Sequence, residues 1–158
     1  MKNLYYQKII LAVIFLLTSV WTFAQTKKTI LFVCEHGAGR SAVAASYFNK
    51  IAQKKGLNYQ AIFRGITPQE ALGISTRNGL IKDSVVVTNF VPTKISKNDV
   101  RNAFKVVTID CTLPDSLNKA DTQWTGIQWT GNYDASKNDI SIKVDELIIT
   151  LPKRKKRK

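Results

Sequence analysis

The residues in this chain best suited to chemistry lie between Cys34 and Ser41, where the sequence reads CEHGAGRS. A cysteine thiolate is a strong nucleophile. Gly37 and Gly39 allow the backbone to curl, so that several N–H groups converge on one point. Arg40 adds a planar guanidinium that matches two oxygens of a phosphate-like group. We therefore predict that this loop binds a tetrahedral oxyanion next to the sulfur of Cys34.

The segments on either side of the loop predict how these residues are positioned. Residues 28–33 (KTILFV) are apolar and rich in β-formers, which is typical of a buried strand. Residues 40–55 place apolar side chains at helical spacing, which predicts an amphipathic helix. A loop that enters a helix offers unpaired N–H groups and the positive end of the helix dipole, and this field favours the thiolate of Cys34. Ser41 is placed to donate a hydrogen bond to that sulfur or to orient the loop.

The rest of the chain alternates between predicted strands and predicted helices. Strands are predicted at 59–63, 105–109 and, in a short form, near 123–126; helices are predicted at 68–82, 96–104 and 134–151. Residues 84–91 have strand propensity, but Pro92 also allows an irregular crossing segment there. The alternation predicts an α/β fold of three layers, a four-stranded parallel sheet with helices on both faces. Ligands bind at the carboxyl ends of such strands, so Cys34 and Cys111 should share one edge of the sheet.

Both ends of the chain differ in composition from the predicted domain at 25–151. Residues 1–24 combine two lysines with an apolar stretch and end in Thr22-Phe23-Ala24, which predicts a secretory signal peptide, or alternatively an uncleaved anchor. The domain would then be periplasmic or secreted. Residues 153–158 are all Lys or Arg, so we predict a basic disordered tail over 152–158. Without a basic amphipathic helix beside it, we favour a solvated terminus over an arm for nucleic acid or lipid.

The overall composition narrows the possible partners. The formal net charge of +13 comes in part from the tail, so we predict no specific nucleic-acid partner, and membrane contact only through an uncleaved signal segment. The sequence contains no metal-ligand cluster and no dinucleotide fingerprint, so no metal and no cofactor are predicted. Two cysteines in an exported protein form one disulfide by default, and that alternative stays open for Cys34 and Cys111.

Residues 30–46 (ILFVCEHGAGRSAVAAS) resemble the phosphate-binding loop of the low-molecular-weight protein tyrosine phosphatase superfamily, which includes the thioredoxin-linked arsenate reductases. The similarity extends to Arg64-Gly65, residues 91–94 (VPTK), residues 105–111, Trp124 and the closing helix, and so covers nearly the whole predicted domain. The resemblance implies that Cys34 forms a phosphocysteine, that Arg40 binds the phosphoryl oxygens and that Ser41 supports the thiolate. It also implies that substrate binds to the loop residues Glu35, His36, Gly37, Ala38, Gly39 and Arg40.

Some positions depart from the pattern of that family. The phosphatases usually have Asn at the position of Gly37 and often a second Cys at that of Gly39. They also carry a late Asp-Pro that protonates the leaving group, whereas the residues after Trp124 contain no carboxylate. Asp121 and Asp134 are the nearest acids, and Asp134 is either the catalytic acid or a helix cap.

Several further residues have more than one interpretation. In the reductase branch, a resolving cysteine lies near the end of this strand, which implies a redox pair of Cys34 and Cys111 served by a thiol reductant. The alternative is that Cys111 is an inert buried thiol. His36, the only histidine, is either a catalytic base or a solvent-facing side chain at the rim. The cluster of Trp124, Trp129 and Tyr133 either flanks the pocket and selects aromatic substrates or packs at the surface.

The resemblance, taken with the chemistry of the loop, predicts a phosphomonoesterase acting on a phosphorylated small molecule or phosphoprotein. An arsenate reductase that uses Cys34 and Cys111 is one alternative. A catalytically weak phosphate-binding module is the other.

Overall fold

The computed structural model describes residues 26–117 and 120–152. The strands are β1 (Lys28–Cys34), β2 (Tyr59–Gly65), β3 (Lys105–Ile109) and β4 (Thr122–Trp124). The helices are α1 (Arg40–Lys54), α2 (Ile74–Lys82), α3 (Lys97–Asn102) and α4 (Tyr133–Thr150), with a 3₁₀ turn at Asp115–Leu117. The predicted signal peptide at 1–24 and residues 153–158 of the predicted tail lie outside the described residues.

All four strands are parallel and are arranged in the order β2-β1-β3-β4. In this register Cys34 lies opposite Gly65, and Ile109 lies opposite Trp124. The predicted α/β architecture with a four-stranded parallel sheet is therefore confirmed. The carboxyl ends of β1, β2 and β3 meet at one edge, which is where the loop that begins after Cys34 starts.

The two faces of the sheet are covered by different helices because side chains along a strand alternate between faces. Phe32 and Cys34 of β1 point into the larger core, which receives apolar side chains from α1, α2 and α4. Leu31 and Val33 point into a smaller cluster beside α3 and the 3₁₀ turn. Helices on both faces are thus present as predicted. None of the helices within residues 26–117 and 120–152 combines the length and apolar character that crossing a membrane requires.

Two predicted helices differ from the structure in their bounds, and the open alternative at residues 84–91 is decided. The helix predicted at 68–82 begins only at Ile74, because N–H groups of residues 66–73 bond to the loop after β1. Residues 84–91 form the irregular segment that was the alternative to a strand, and the chain turns at Ser84, which has a φ of 62°. The helix predicted at 96–104 is shorter, running Lys97–Asn102, with a capping box formed by Ser96 and Asp99.

Gly79 of α2 allows α2 and α4 to pack closely. A Cβ atom at this position would overlap the ring of Tyr133, whose hydroxyl donates a hydrogen bond to Asp83 Oδ2 at 2.8 Å.

We expect Gly79→Ala to lower the free energy of unfolding by about 1–3 kcal/mol, because overpacking outweighs the better helix propensity of alanine. Equilibrium unfolding in urea measures the change in the free energy of unfolding. The matched control is Asn78→Ala on the exposed side of α2, which should change stability by less than about 0.5 kcal/mol; equal effects in both variants would contradict the packing argument.

Candidate active site

The loop between β1 and α1 is held in place by the irregular segment that precedes α2. Four carbonyl groups of the loop accept hydrogen bonds from this segment: Cys34 from Ile66, Glu35 from Thr67, His36 from Gln69, and Ala38 from Gly73. The carbonyl oxygens are thus turned toward residues 66–73. Within the described parts of the chain, the N–H groups of residues 36–39 have no protein acceptor. Together with the start of α1 they form a site with the chemistry of an anion cradle.

Two glycines allow the loop to approach the end of β2 this closely. Gly37 has a φ of 63°, and a Cβ atom on it would lie 2.9 Å from the nitrogen of Gly65. A Cβ atom on Gly65 would lie 2.8 Å from the carbonyl carbon of His36. Any side chain at either position would therefore push the loop off β2, and the Gly37 conformation is in addition one that other residues adopt at a cost.

Cys34 and Ser41 meet at the buried end of the loop. Cys34 is 3% exposed, Ser41 is fully buried, and their Sγ and Oγ atoms lie 3.1 Å apart. The Ser41 hydroxyl also lies 3.4 Å from the carbonyl oxygen of Arg64, a position from which it can donate to either acceptor. A hydroxyl that donates to sulfur stabilises the thiolate. The structure thus brings together the two residues that the sequence predicted to cooperate.

The guanidinium of Arg40 is anchored at one edge. Its Nε donates to the carbonyl oxygen of Ile127 at 2.9 Å and lies 3.6 Å from Asp110 Oδ2. In the described residues, its two terminal nitrogens donate to no protein group. They remain available to oxygens of a ligand in the loop, as the sequence predicted for Arg40.

Asp110 is a site residue that the sequence analysis did not identify. It follows β3 directly with a φ of 45°, and its carboxylate accepts hydrogen bonds from the N–H groups of Gly126 at 2.7 Å and Ile127 at 3.0 Å. It therefore fixes the loop after β4, and through that loop the carbonyl that holds Arg40. The sequence feature that could have identified Asp110 is its position directly after β3, at the same edge of the sheet as Cys34.

The loop forms one wall of a surface depression of about 150 Å³. The lining residues are Cys34, Glu35, His36, Ala38, Gly39 and Arg40 from the loop, with Gln69, Gly73, Thr76 and Trp129 opposite. The indole of Trp129 packs against Gly39, where an added Cβ atom would lie 3.0 Å from the ring. Of the two tryptophans, Trp129 therefore flanks the site, whereas Trp124 is buried beside Phe32. The sequence analysis did not identify Gln69 and Thr76 as site residues, because both lie within the helix predicted at 68–82, where no pattern indicated a functional role.

Glu35 and His36 are both held by Thr67 at the exposed side of the loop. Thr67 Oγ1 donates to Glu35 Oε1 at 2.9 Å, and His36 Nδ1 lies 3.2 Å from the carbonyl oxygen of Thr67. The rim position predicted as one alternative for His36 agrees with its exposure. Its side chain also lines the depression.

Cys111 lies on the other face of the sheet from Cys34. Its thiol is half-buried beside the smaller apolar cluster and donates to the carbonyl oxygen of Val33 at 3.5 Å. Burial raises the pKa of this thiol to about 11, with a smaller contribution from the negative field of Cys34. Both cysteines are free thiols, so the disulfide alternative is not present in this structure. At neutral pH Cys111 is therefore protonated and a poor nucleophile.

Asp134 does not line the depression. It lies in the first turn of α4, with its exposed carboxylate 3.0 Å from Lys82 Nζ. The helix cap is Asn132, whose side chain accepts from the N–H of Ala135, so the capping role considered for Asp134 was wrong by two positions. A carboxylate in the first turn still interacts favourably with the helix dipole. In the described residues no group of His, Cys, Asp and Glu could hold a metal ion.

A family model described as low molecular weight phosphotyrosine protein phosphatase matches residues 29–146. This range includes β1 except Lys28, the loop, all four helices except the last residues of α4, and every residue of the depression. No curated protein matches the sequence. The family is therefore shown by the family model over residues 29–146 and not by a single curated relative.

Solved structures share this fold at low sequence identity. YfkJ from Bacillus subtilis is 18% identical with a TM-score of 0.69, covering 80% of this chain and 96% of its own. A low molecular weight protein tyrosine phosphatase from T. tengcongensis is 18% identical with a TM-score of 0.65, covering 79% and 100%. A thioredoxin-dependent arsenate reductase from Corynebacterium glutamicum is 18% identical with a TM-score of 0.65, covering 80% and 63%. At these identities the similarity establishes the fold.

Asp110 generates the first prediction about the site. Asp110→Asn replaces one of its two oxygens with an NH₂ group that cannot accept from Gly126 or Ile127, which releases the anchor of Arg40. We expect the affinity for vanadate or phosphate to fall about tenfold, the scale of one charge-assisted hydrogen bond. Isothermal titration calorimetry measures this. The control is Asp139→Asn, an exposed position on α4; unchanged affinity in Asp110→Asn would show that Arg40 is held by other contacts.

Proposed function

Because the chain belongs to the low molecular weight phosphotyrosine protein phosphatase family, whose members are phosphatase-type hydrolases, we propose that it is a phosphomonoesterase with a cysteinyl-phosphate intermediate on Cys34. The observation that carries the proposal is the loop itself. The buried thiol of Cys34 begins a loop whose N–H groups at residues 36–39 have no protein acceptor in the described residues, and the anchored guanidinium of Arg40 ends that loop.

The geometry supports the following steps. Three phosphoryl oxygens bind the loop N–H groups and the terminal nitrogens of Arg40, which offsets the charge that spreads over them in the transition state. The thiolate of Cys34 attacks phosphorus, forming the S–P bond while the bond to the ester oxygen breaks. Ser41 donates a hydrogen bond to the sulfur whenever sulfur carries negative charge. Water then attacks the phosphocysteine, releasing inorganic phosphate and the thiolate.

The substrate we propose is a phosphorylated small molecule or phosphoprotein with an aryl ester. Trp129 supports this choice, because its indole lines the depression beside Gly39 and offers a flat apolar surface to an aromatic leaving group. The remaining wall residues, Gln69 and Thr76, are polar and compatible with a solvated ester. No metal or cofactor takes part in the proposed reaction.

We also propose that the enzyme works in the periplasm or outside the cell. This proposal rests on the composition of residues 1–24, which lie outside the described structure. An uncleaved segment would anchor the same domain at the outer side of a membrane.

Arsenate reduction through Cys34 and Cys111 is the second candidate. It is supported by the fold shared with the Corynebacterium glutamicum arsenate reductase and by the position of Cys111 near the carboxyl edge of the sheet. Against it, Cys111 packs on the opposite face and burial raises its pKa to about 11. A resolving thiol must reach the nucleophilic cysteine as a thiolate, so we favour the phosphatase.

The central substitutions are at Cys34 and Arg40. We expect Cys34→Ser to abolish hydrolysis of p-nitrophenyl phosphate, and Arg40→Ala to lower kcat/KM about 100- to 1000-fold through loss of transition-state charge stabilisation. Vanadate should inhibit the unmodified protein competitively. The assay uses the mature protein with and without reductant. Hydrolysis that persists in Cys34→Ser would rule the proposal out, and phosphate binding without turnover would identify a binding module instead.

Cys111 distinguishes the two candidate enzymes. We expect Cys111→Ser to keep its rate of aryl phosphate hydrolysis within about twofold of the unmodified protein. The substitution is nearly isosteric and lies outside the reacting groups, so it should change the free energy of unfolding little. We also expect neither protein to consume a thiol reductant in an arsenate-dependent way, measured by thiol titration. Arsenate-dependent consumption in the unmodified protein that is lost in Cys111→Ser would favour the reductase.

A further inference from the structure

The residues that line the depression limit which group can protonate the leaving oxygen. Cleavage of a phosphate ester with a poor leaving group requires a proton donor at that oxygen. Four titratable side chains line the depression: Cys34, Glu35, His36 and Arg40. Cys34 is the proposed nucleophile, and a guanidinium does not lose its proton in proteins. Within the depression, the donor is therefore Glu35 or His36.

The aspartates of neighbouring segments have other partners. Asp110 accepts from the N–H groups of two residues after β4. Asp121 Oδ2 accepts from the N–H of Val106 at 2.7 Å. Asp134 is paired with Lys82 at the surface. None of these three carboxylates lines the depression, so each would have to leave its partner to reach a bound ester.

The hydrogen bond from His36 to Thr67 determines which ring nitrogen can exchange a proton. The carbonyl oxygen of Thr67 can only accept, so the bond to Nδ1 at 3.2 Å requires a hydrogen on Nδ1. Nε2 is then the nitrogen that gains and loses the second proton. Glu35 also contacts Thr67: one of its two carboxyl oxygens accepts a hydrogen bond from the Thr67 hydroxyl at 2.9 Å.

Cys34 and His36 lie at different depths in the loop. Cys34 is 3% exposed at the inner end of the loop, whereas His36 is exposed at its outer side. In a displacement at phosphorus, the attacking and leaving atoms lie roughly in line. Attack from the buried sulfur therefore directs the leaving oxygen toward solvent, on the side of the loop where His36 lies.

We propose that His36 is the general acid and general base of this site, an inference that rests on the phosphatase function proposed above. As the P–O bond of the ester breaks, the imidazolium transfers its Nε2 proton to the leaving oxygen. In the second step, neutral Nε2 takes a proton from water as water attacks phosphorus and the S–P bond breaks. The thiolate of Cys34 and the imidazolium are then both regenerated. An imidazole is suited to both roles because the same ring nitrogen can release a proton and then take one up again.

The experiment compares two substrates that differ in their need for protonation. The p-nitrophenolate ion leaves readily without a proton, whereas phenolate does not. We expect His36→Gln to lower kcat/KM for phenyl phosphate at least about 100-fold and that for p-nitrophenyl phosphate less than about tenfold, because general acid catalysis contributes most where the leaving group is poor. His36→Asn, whose amide cannot exchange a proton in this range either, should give the same pattern. Glu35→Gln should lower both values by the same factor.

Three outcomes separate the inference from its premise. Equal losses for both substrates in His36→Gln would overturn the proposal, and so would a selective loss of phenyl phosphate hydrolysis in Glu35→Gln. Vanadate affinity of each variant, measured in parallel, confirms that the loop is intact. If the unmodified protein shows no Cys34-dependent hydrolysis of p-nitrophenyl phosphate, the phosphatase function itself fails, which is distinct from a wrong assignment of His36.

Discussion

The candidate site depends on a backbone contact, in which residues 65–73 hold the loop after β1. Four N–H groups of residues 66–73 bond to the loop carbonyls. This turns the acceptors away and leaves the N–H groups of residues 36–39 for a ligand. The contact is so close that Gly37 and Gly65 have no space for a Cβ atom. The anion site is therefore formed by the main chain, and the side chains of Cys34 and Arg40 add chemistry to a cradle already shaped by backbone hydrogen bonds.

A carboxylate beside an oxyanion site would ordinarily weaken it by repulsion. Here Asp110 accepts two N–H groups and lies 3.6 Å from Arg40 Nε, so its charge is largely compensated. The arrangement fixes the guanidinium through its Nε edge and directs its other nitrogens to the ligand. The surroundings of the two thiols also differ. Cys34 Sγ lies 3.1 Å from the Ser41 hydroxyl, whereas Cys111 lies in an apolar setting that keeps it protonated.

The sequence predicted those features that depend on local pattern. Apolar or alternating runs predicted β1, β2 and β3, and the glycines with Arg40 and Ser41 identified the loop. A short strand was placed near 123–126, where β4 runs Thr122–Trp124. What it missed depends on contacts between distant segments. Residues 68–73 have helical composition, but their N–H groups bond to the loop instead. Asp110 and Thr67 act through partners 16 and 31 residues away in sequence, which no periodicity reveals. The N-cap of α4 is Asn132 and not Asp134. Asn and Asp side chains can both accept a hydrogen bond from a helix N–H group, so residue type alone did not distinguish the two positions.

The most direct test of the account is to trap the covalent intermediate. The mature protein is mixed with p-nitrophenyl phosphate, quenched in acid within the first turnover and digested for mass spectrometry. The account predicts one phosphoryl group on the peptide that contains Cys34, attached through sulfur. A phosphoryl group on another residue, or none while p-nitrophenol is being released, would contradict it.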